Sequence, residues 1–358
     1  MSIFKAIMNF GHKQEDYTGR LEKYEQLIYP CKKCGNEVDI SQVYALTMQH
    51  CPKCDELFLV PMKLENWWVC QPLGGGGMGA VYLGRNFDNP ELRAAVKVLQ
   101  VTDEVNQTFL DLLIQEAQIA SKFGKHPLLA QVYAYGYDEA DAYMIMEFIE
   151  GVRFDKLIDK NPQGINEELA MYYLLDMLSA LEYIFQCGYL YRDLKPENII
   201  VKNDGFVTLV DYGLCMTINE AWYNESEDIM GSPLYMPPER IRGDGEDFRA
   251  DLYALGMVIF HAMNGSPYFS QTELMKIVQR QWGGLRVQTK FKLPKANPRV
   301  IELVDRLIKV DRDERFQSYH DIRYEVHGIL MELHKKKLSD KTTLKRREQY
   351  IQACLNQS

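Results

Sequence analysis

Alternation of apolar and polar positions predicts short strands over Trp67–Tyr82 and Ala94–Gln100, on either side of a glycine turn, and another over Tyr143–Phe148. Between them the period lengthens. Phe109–Phe123 sets Phe109, Leu112, Leu113, Ile119 and Ala120 at helical spacing, and Glu167–Cys187 and Leu252–Met263 are longer helical patterns. This order predicts an α+β chain with two lobes, a small β-rich one followed by a larger helical one, over residues 67–333. Residues 1–27 are polar, apart from Ile3, Phe4, Ile7, Met8 and Phe10, whose spacing predicts an amphipathic helix. Residues 28–62 carry two cysteine pairs, and residues 334–358 form a basic tail that reads as a solvated helix face.

Composition narrows the classes. The chain has 358 residues, 46% of them hydrophobic and 25% charged, as in an ordinary globular protein. A net charge of −9 disfavours a general nucleic-acid binder, whose phosphate contacts need a basic surface. No apolar run approaches the roughly 18–20 residues needed to span a bilayer, and the first residues lack the apolar stretch of a secretory signal. A cytoplasmic location is the expectation. Of the eight cysteines, Cys70, Cys187, Cys215 and Cys354 are single and scattered, as reduced thiols in apolar positions would be.

Candidate chemistry begins at Leu73-Gly74-Gly75-Gly76-Gly77-Met78-Gly79-Ala80-Val81. Gly74, Gly76 and Gly79 satisfy G-x-G-x-x-G, which lets backbone N–H groups approach phosphate oxygens. By itself the pattern is weak, since a flexible hairpin or a dinucleotide fingerprint has the same glycines. A dinucleotide fingerprint leads straight into a helix, whereas here Ala80–Gly84 is strand-like. Lys97, inside the apolar strand Ala94-Ala95-Val96-Lys97, needs an anionic partner, and Glu116 on the next helix is the natural one.

Further on stand Tyr191-Arg192-Asp193-Leu194-Lys195-Pro196-Glu197-Asn198 and Asp211-Tyr212-Gly213. With the glycine loop and Lys97, these resemble the Hanks-type Ser/Thr protein kinases over residues 68–333, and Gly77-Met78-Gly79 is similar to the wording of bacterial members. The resemblance implies a protein-serine/threonine kinase that uses ATP and Mg²⁺. Asp193 would accept the substrate hydroxyl proton, Lys195 would steady the γ-phosphate, and Asn198 and Asp211 would hold Mg²⁺. Lys97, fixed by Glu116, would meet the α- and β-phosphates. Leu73 and the glycines would cover the nucleotide, with Val81, Ala95 and Ile200 against adenine, Met146 as gatekeeper, and the backbone of Glu147 and Phe148 facing the base.

Gly231-Ser232-Pro233-Leu234-Tyr235-Met236-Pro237-Pro238-Glu239 resembles the family's peptide-docking loop. Lys195 and Ser232 have the Ser/Thr-type form, with Ser232 expected to hydrogen-bond Asp193 and Lys195. Asp251 matches the aspartate that braces the catalytic loop, and Arg315 the arginine that pairs with Glu239. Two positions depart from the family: Tyr191 stands for the usual His and Tyr212 for the usual Phe. Neither touches phosphate, and both read as a repacked apolar spine whose hydroxyls need partners. In the family an arginine placed like Arg192 often needs an anion from the activation segment. Phospho-Ser226, the acidic residues around it, or a plain solvated loop all remain open.

Cys31-Lys32-Lys33-Cys34 and Cys51-Pro52-Lys53-Cys54 form the C-x₂-C…C-x₂-C pattern of a zinc ribbon. Iron and free thiols are the alternatives. Four protein thiolates close the site, so Zn²⁺ there is structural, and His50 reads as a surface residue. Residues 28–62 hold few large apolar side chains, which suggests a metal-stapled module that folds separately from residues 67–333. The functional expectation is a Ser/Thr protein kinase acting on protein substrates, autophosphorylating, with the ribbon for regulation or for docking a partner. The alternatives are a pseudokinase scaffold that binds ATP without transfer and a small-molecule kinase.

Overall fold

A computed structural model of the chain describes residues 18–76, 79–100, 107–138, 141–223, 231–269 and 289–336. The helix expected around Ile3–Phe10, Ser226 and the tail beyond residue 336 lie outside the described residues. Backbone contacts divide the chain into two units, Met1–Ser121 with Gln131–Phe148, and Lys122–Ala130 with Ile149–Ser358.

In the first unit α1 (Thr18–Glu25) precedes two small hairpins, β1 (Ile28–Pro30) with β2 (Glu37–Asp39) and β3 (Met48–His50) with β4 (Leu57–Leu59). Then come β5 (Met62–Leu64), β6 (Trp67–Gly76), β7 (Gly79–Asn86), β8 (Arg93–Leu99), α2 (Gln107–Lys122), β9 (Val132–Asp138) and β10 (Asp141–Glu147). A six-stranded antiparallel sheet runs β5-β6-β7-β8-β10-β9.

The period-2 pattern of β8 explains how this sheet is used. Ala94, Val96 and Val98 are buried on one face, and Ala95, Lys97 and Leu99 alternate with them. On the second face Leu99 packs with Leu110, Leu113 and Ala117 of α2 and with Ala142, Met144 and Met146 of β10. The buried stripe of α2 is therefore Leu110, Leu113, Glu116, Ala117 and Ala120. Phe109 and Leu112, expected on the apolar face, are exposed, because contact with the sheet rather than the apolar count selects the face.

On the first face Ala94, Val96 and Val98 meet Trp67, Val69, Tyr143 and Ile145, and also Leu46 and Leu59 from the cysteine-bearing segment. A further cluster joins Leu21 and Tyr24 of α1, Tyr29, Ile40, Phe58 and Val60 to Trp68 and Cys70 of β6. Tyr29 stacks on Phe58 with ring centroids 3.9 Å apart, and Tyr24 leans on Trp68 at 5.4 Å. Residues 28–62 thus have no core apart from the sheet. Of their large apolar side chains, Tyr29, Ile40, Leu46, Phe58, Leu59 and Val60 are buried in these two clusters, against α1, both faces of β6 and one face of β8, whereas Tyr44, Met48 and Leu57 are exposed, and β5 is itself the edge strand of that sheet.

In the second unit β11 (Gly151–Arg153), α3 (Phe154–Asp159) and α4 (Glu167–Gln186) lead to β12 (Tyr189–Leu190), β13 (Ile199–Lys202), β14 (Val207–Leu209), β15 (Met216–Thr217) and α5 (Ile218–Trp222). After these come α6 (Pro238–Arg242), α7 (Phe248–Asn264), α8 (Thr289–Lys292), α9 (Pro298–Leu307) and α10 (Tyr319–Lys336). The Asn166 side chain caps α4 and the Asp247 side chain caps α7, whose end is marked by left-handed Gly265 at φ 72°. Both helices are apolar nearly all round, as central helices must be. Among the described residues no helix is long and apolar enough to cross a membrane.

The arginine–glutamate pair expected from sequence is present. Arg315 Nη1 and Nη2 donate to Glu239 at 2.6 and 2.7 Å, and both side chains are fully buried. Arg315 also donates to the carbonyls of Lys309, Arg249 and Val310, which fixes α6 and α7 to the loop before α10. Truncation strands a buried carboxylate, so Arg315→Ala is expected to lower stability by about 3–5 kcal/mol. Denaturant melts check this, and an unchanged midpoint would contradict it.

Candidate active site and metal centre

In the first unit β6 and β7 form the glycine hairpin, pairing Gly74 with Val81 and Gly76 with Gly79. Leu73 is exposed, and Val81 and Ala95 are half-buried. Lys97 Nζ lies 2.7 Å from Glu116 Oε2, with the two side chains 13% and 5% exposed. That burial makes the pair obligatory, because either charge alone would be costly there. On β10 Met146 is buried, and Glu147 and the adjoining Phe148 are half-buried. The Arg93 guanidinium sits 4.9 Å from the Phe148 ring centroid.

In the second unit the loop between β12 and β13 carries Asp193, Lys195 and Asn198. Lys195 Nζ donates to Asp193 Oδ2 at 2.6 Å and Asn198 Nδ2 donates to the same oxygen at 2.8 Å. Asn198 Nδ2 also donates to the Asp193 carbonyl at 3.0 Å, within the short turn Pro196–Asn198. Both of these side-chain partners of Asp193 thus take Oδ2 rather than Oδ1. Burial raises the pKa of Asp193, opposed by the Lys195 ammonium. Ser232, expected to bond Asp193 and Lys195, lines the same small cavity beside Asp193 but is not among the hydrogen-bond partners of either. Lys195 and Asn198 already fill that role. Ile200 lies half-buried on β13.

Among the described residues of this unit, Arg192 and Asp211 alone have left-handed backbone without being glycine, at φ 66° and 70°. Such conformations cost energy and persist where surrounding contacts enforce them. Asp251, in the first turn of α7, supplies that enforcement at Arg192. Its two carboxylate oxygens accept the backbone N–H groups of Tyr191 and Arg192 at 2.9 and 2.8 Å, as expected of the brace. Burial pushes its pKa up to about 6 against those two hydrogen bonds.

The two departures are resolved as repacking. Tyr191 and Tyr212 are fully buried, and their rings meet edge-on at 6.3 Å. The Tyr191 hydroxyl donates to Val210 O at 2.7 Å and the Tyr212 hydroxyl to Ala130 O at 2.9 Å, so neither is stranded. Phe123 packs on Tyr212 at 5.5 Å. Asp211 accepts from the Gly213 N–H at 3.2 Å, and with the Asn198 side-chain oxygen it offers the hard oxygen donors that suit Mg²⁺.

The four N-terminal thiols form one cluster, all sulfurs within 4.8 Å of one another. Cys31 and Cys54 are 3.6 Å apart, as are Cys34 and Cys51, far beyond disulfide length. A tetrahedron with metal–sulfur bonds of about 2.3 Å has edges of about 3.8 Å, so the donor set fits a four-thiolate metal site. The knuckles repeat each other. Gly35 N–H donates to Cys31 O and Asp55 N–H to Cys51 O, both at 2.9 Å, with Gly35 and Asp55 left-handed at φ 69° and 59°. Burial opposes ionisation of the Cys51 thiol, but hydrogen bonding from the backbone of Lys53 and Cys54 outweighs it and brings the pKa down to about 7.

Sequence reasoning did not single out Glu246 or Arg240. Arg192 Nη2 and Arg240 Nη2 each donate to Glu246 at 2.6 Å, on its two different oxygens. In sequence Glu246 stands in Gly243-Asp244-Gly245-Glu246-Asp247, which reads as a solvated acidic turn and carries no signal of burial.

Comparison with known proteins agrees with this geometry. The family pattern described as protein kinase domain matches residues 67–325. The chain is 30% identical over 244 residues to a cAMP-dependent protein kinase, catalytic subunit-like, of Caenorhabditis briggsae, covering 68% of this chain and 60% of that protein. It is 27% identical over 218 residues to the probable serine/threonine-protein kinase PknB of Lactococcus lactis, covering 61% and 34%. Similarity to the serine/threonine-protein kinase PrkC of Bacillus subtilis is 28% over 255 residues, covering 70% and 38%. The match therefore spans between about a third and three-fifths of these relatives' own lengths.

Proposed function

The chain belongs to the protein kinase family, and from that premise we propose that it transfers the γ-phosphoryl group of ATP to serine and threonine hydroxyls of proteins. The observation that carries the reading is Asp193, a buried carboxylate with one oxygen held by Lys195 and Asn198 and the other left to accept a proton. Phosphoryl transfer asks for positioning and charge neutralisation more than covalent chemistry. Asp193 orients the acceptor hydroxyl and takes its proton as the new P–O bond forms and the bond to the ADP oxygen breaks. Lys195, beside it, balances charge on the γ-phosphoryl oxygens. Lys97, held by Glu116, does the same for the α- and β-phosphates, and the glycine hairpin offers N–H groups. Mg²⁺, when bound by Asn198 and Asp211, neutralises phosphate charge.

The four thiolates are assigned to Zn²⁺, which suits a closed tetrahedral sulfur set. The ribbon serves regulation or the docking of a partner, and the chain phosphorylates itself.

The test is transfer of label from γ-³²P-ATP to a generic acceptor protein, followed by phosphoamino-acid analysis. Phosphoserine or phosphothreonine, lost in Asp193→Asn, is the expected result. Nucleotide binding without label in any acceptor would support a scaffold, and label in metabolites alone a small-molecule kinase.

A pH dependence arises from the burial of Asp193. Its pKa is raised above the ordinary aspartate range, so the protonated, incompetent form persists to higher pH. With a peptide acceptor that does not titrate there, kcat/KM is expected to fall on the acid side with a midpoint above that of a free aspartate. A midpoint at or below the ordinary value would remove Asp193 as the base.

A further inference from the structure

Arg192 immediately precedes Asp193, so whatever fixes its guanidinium helps to set the loop that carries the base. The partner is internal. Arg192 Nε and Nη2 donate to Glu246 Oε1 at 3.1 and 2.6 Å, and Arg192 Nη1 reaches the Met216 sulfur at 3.4 Å. Arg240 grips the other side of the same carboxylate, with Nε at 3.0 Å from both oxygens and Nη2 at 2.6 Å from Oε2. Arg240 Nη1 also donates to the Arg192 carbonyl at 2.7 Å, so the second arginine holds the backbone of the first. The side chains of Arg192, Arg240 and Glu246 are 8%, 7% and 3% exposed.

The charges in this cluster nearly close without outside help. Two guanidinium groups face the Glu246 carboxylate, and the second carboxylate is that of Asp251, which takes the N–H groups of Tyr191 and Arg192. Burial opposes ionisation of Glu246, but Arg240 and Arg192 outweigh it and hold its pKa below the usual carboxylate range. Glu246 lies after α6, outside the segment that contains Ser226. A phosphate dianion brought to Arg192 would have to displace a bonded, desolvated carboxylate and leave it without that partner, which is unfavourable.

We propose that Glu246, clasped between Arg192 and Arg240, is a positioning residue for Asp193 that supplies the ordering anion from within the fold, so that transfer needs no phosphate on the activation segment. This rests on the kinase reading above. It assigns to one buried carboxylate the role that phospho-Ser226 was a candidate for, and it makes the resting chain constitutively competent. Regulation would then enter elsewhere.

The test uses the full chain in two preparations, one as purified and one co-expressed with a protein phosphatase. Mass spectrometry establishes that the second carries no phosphate before the assay and across the initial-rate window. The expected result is transfer without a lag, at a rate within about twofold of the untreated protein. Glu246→Gln, which keeps the shape and removes the charge, is expected to lower kcat by about 10²-fold while KM for ATP changes less than threefold. A merely structural loss would move KM and the nucleotide-induced melting shift as well. A lag, or a loss of tenfold or more in phosphate-free protein that autophosphorylation restores, would overturn the proposal. So would an unchanged kcat in Glu246→Gln. If that variant does not fold, the phosphate-free preparation alone decides. No transfer by the untreated protein would instead overturn the kinase reading, with which this inference falls.

Discussion

Asp211→Ala is expected to reduce phosphoryl transfer by about 10³-fold or more and to abolish the Mg²⁺-dependent gain in ATP affinity. Asp211 has a left-handed backbone that L-amino acids adopt at a cost, and Gly213 N–H donates to one of its carboxylate oxygens. Lys97→Ala should cost about 10²-fold or more through weaker nucleotide alignment, because it also strips the buried Glu116 of the ammonium 2.7 Å away. The two variants should separate in ATP titrations. Asp211→Ala loses the response to Mg²⁺, whereas Lys97→Ala keeps it at lower affinity. Melting curves establish that each variant is folded. Transfer near the wild-type rate in either one would mean that the catalytic assignment is wrong.

Much of this site was legible because phosphate chemistry leaves few choices of residue. A lysine inside an apolar strand, a carboxylate two positions before a lysine, and an amide a turn later are local patterns, and the structure realises each over short distances. The Arg315–Glu239 pair was also reached, but only through the family resemblance, since the partners are remote in sequence. Glu246 escaped for a physical reason. Its burial depends on Arg192 and Arg240 converging from two other segments, and an acidic turn looks solvated whatever it meets. The exposed face of α2 was misjudged similarly. Phe109 and Leu112 have helical spacing, yet β8 and β10 touch the stripe one residue further on.

The second large effect concerns the metal, where the structure changes the expectation. From sequence the cysteine segment looked separable, so removing zinc would have left nucleotide binding largely intact. The packing argues otherwise. Leu46 and Leu59 flank the second knuckle and sit against Ala94, Val96 and Val98 of β8, the strand whose opposite face carries Lys97. Phe58 and Val60 join Trp68 of β6, the first strand of the glycine hairpin. Structural zinc in short thiolate modules contributes about 10–16 kcal/mol of apparent binding energy, coupled to local folding. Losing it frees the knuckles and uncovers both faces of β6 and one face of β8. Chelation at neutral pH is therefore expected to lower the melting temperature of the first unit by about 10 °C or more and to shrink the ATP-induced stabilisation to less than half. Metal analysis of protein purified without chelator should first give about one zinc per chain. Melts with and without chelator, each with and without ATP, supply the rest. An ATP shift of full size after zinc has been shown to leave would restore the separable module, and protein that never holds metal would remove the zinc assignment. Leu59→Ala, which leaves all four thiolates in place, should weaken the ATP shift in the zinc-loaded protein, because the same contact carries the coupling.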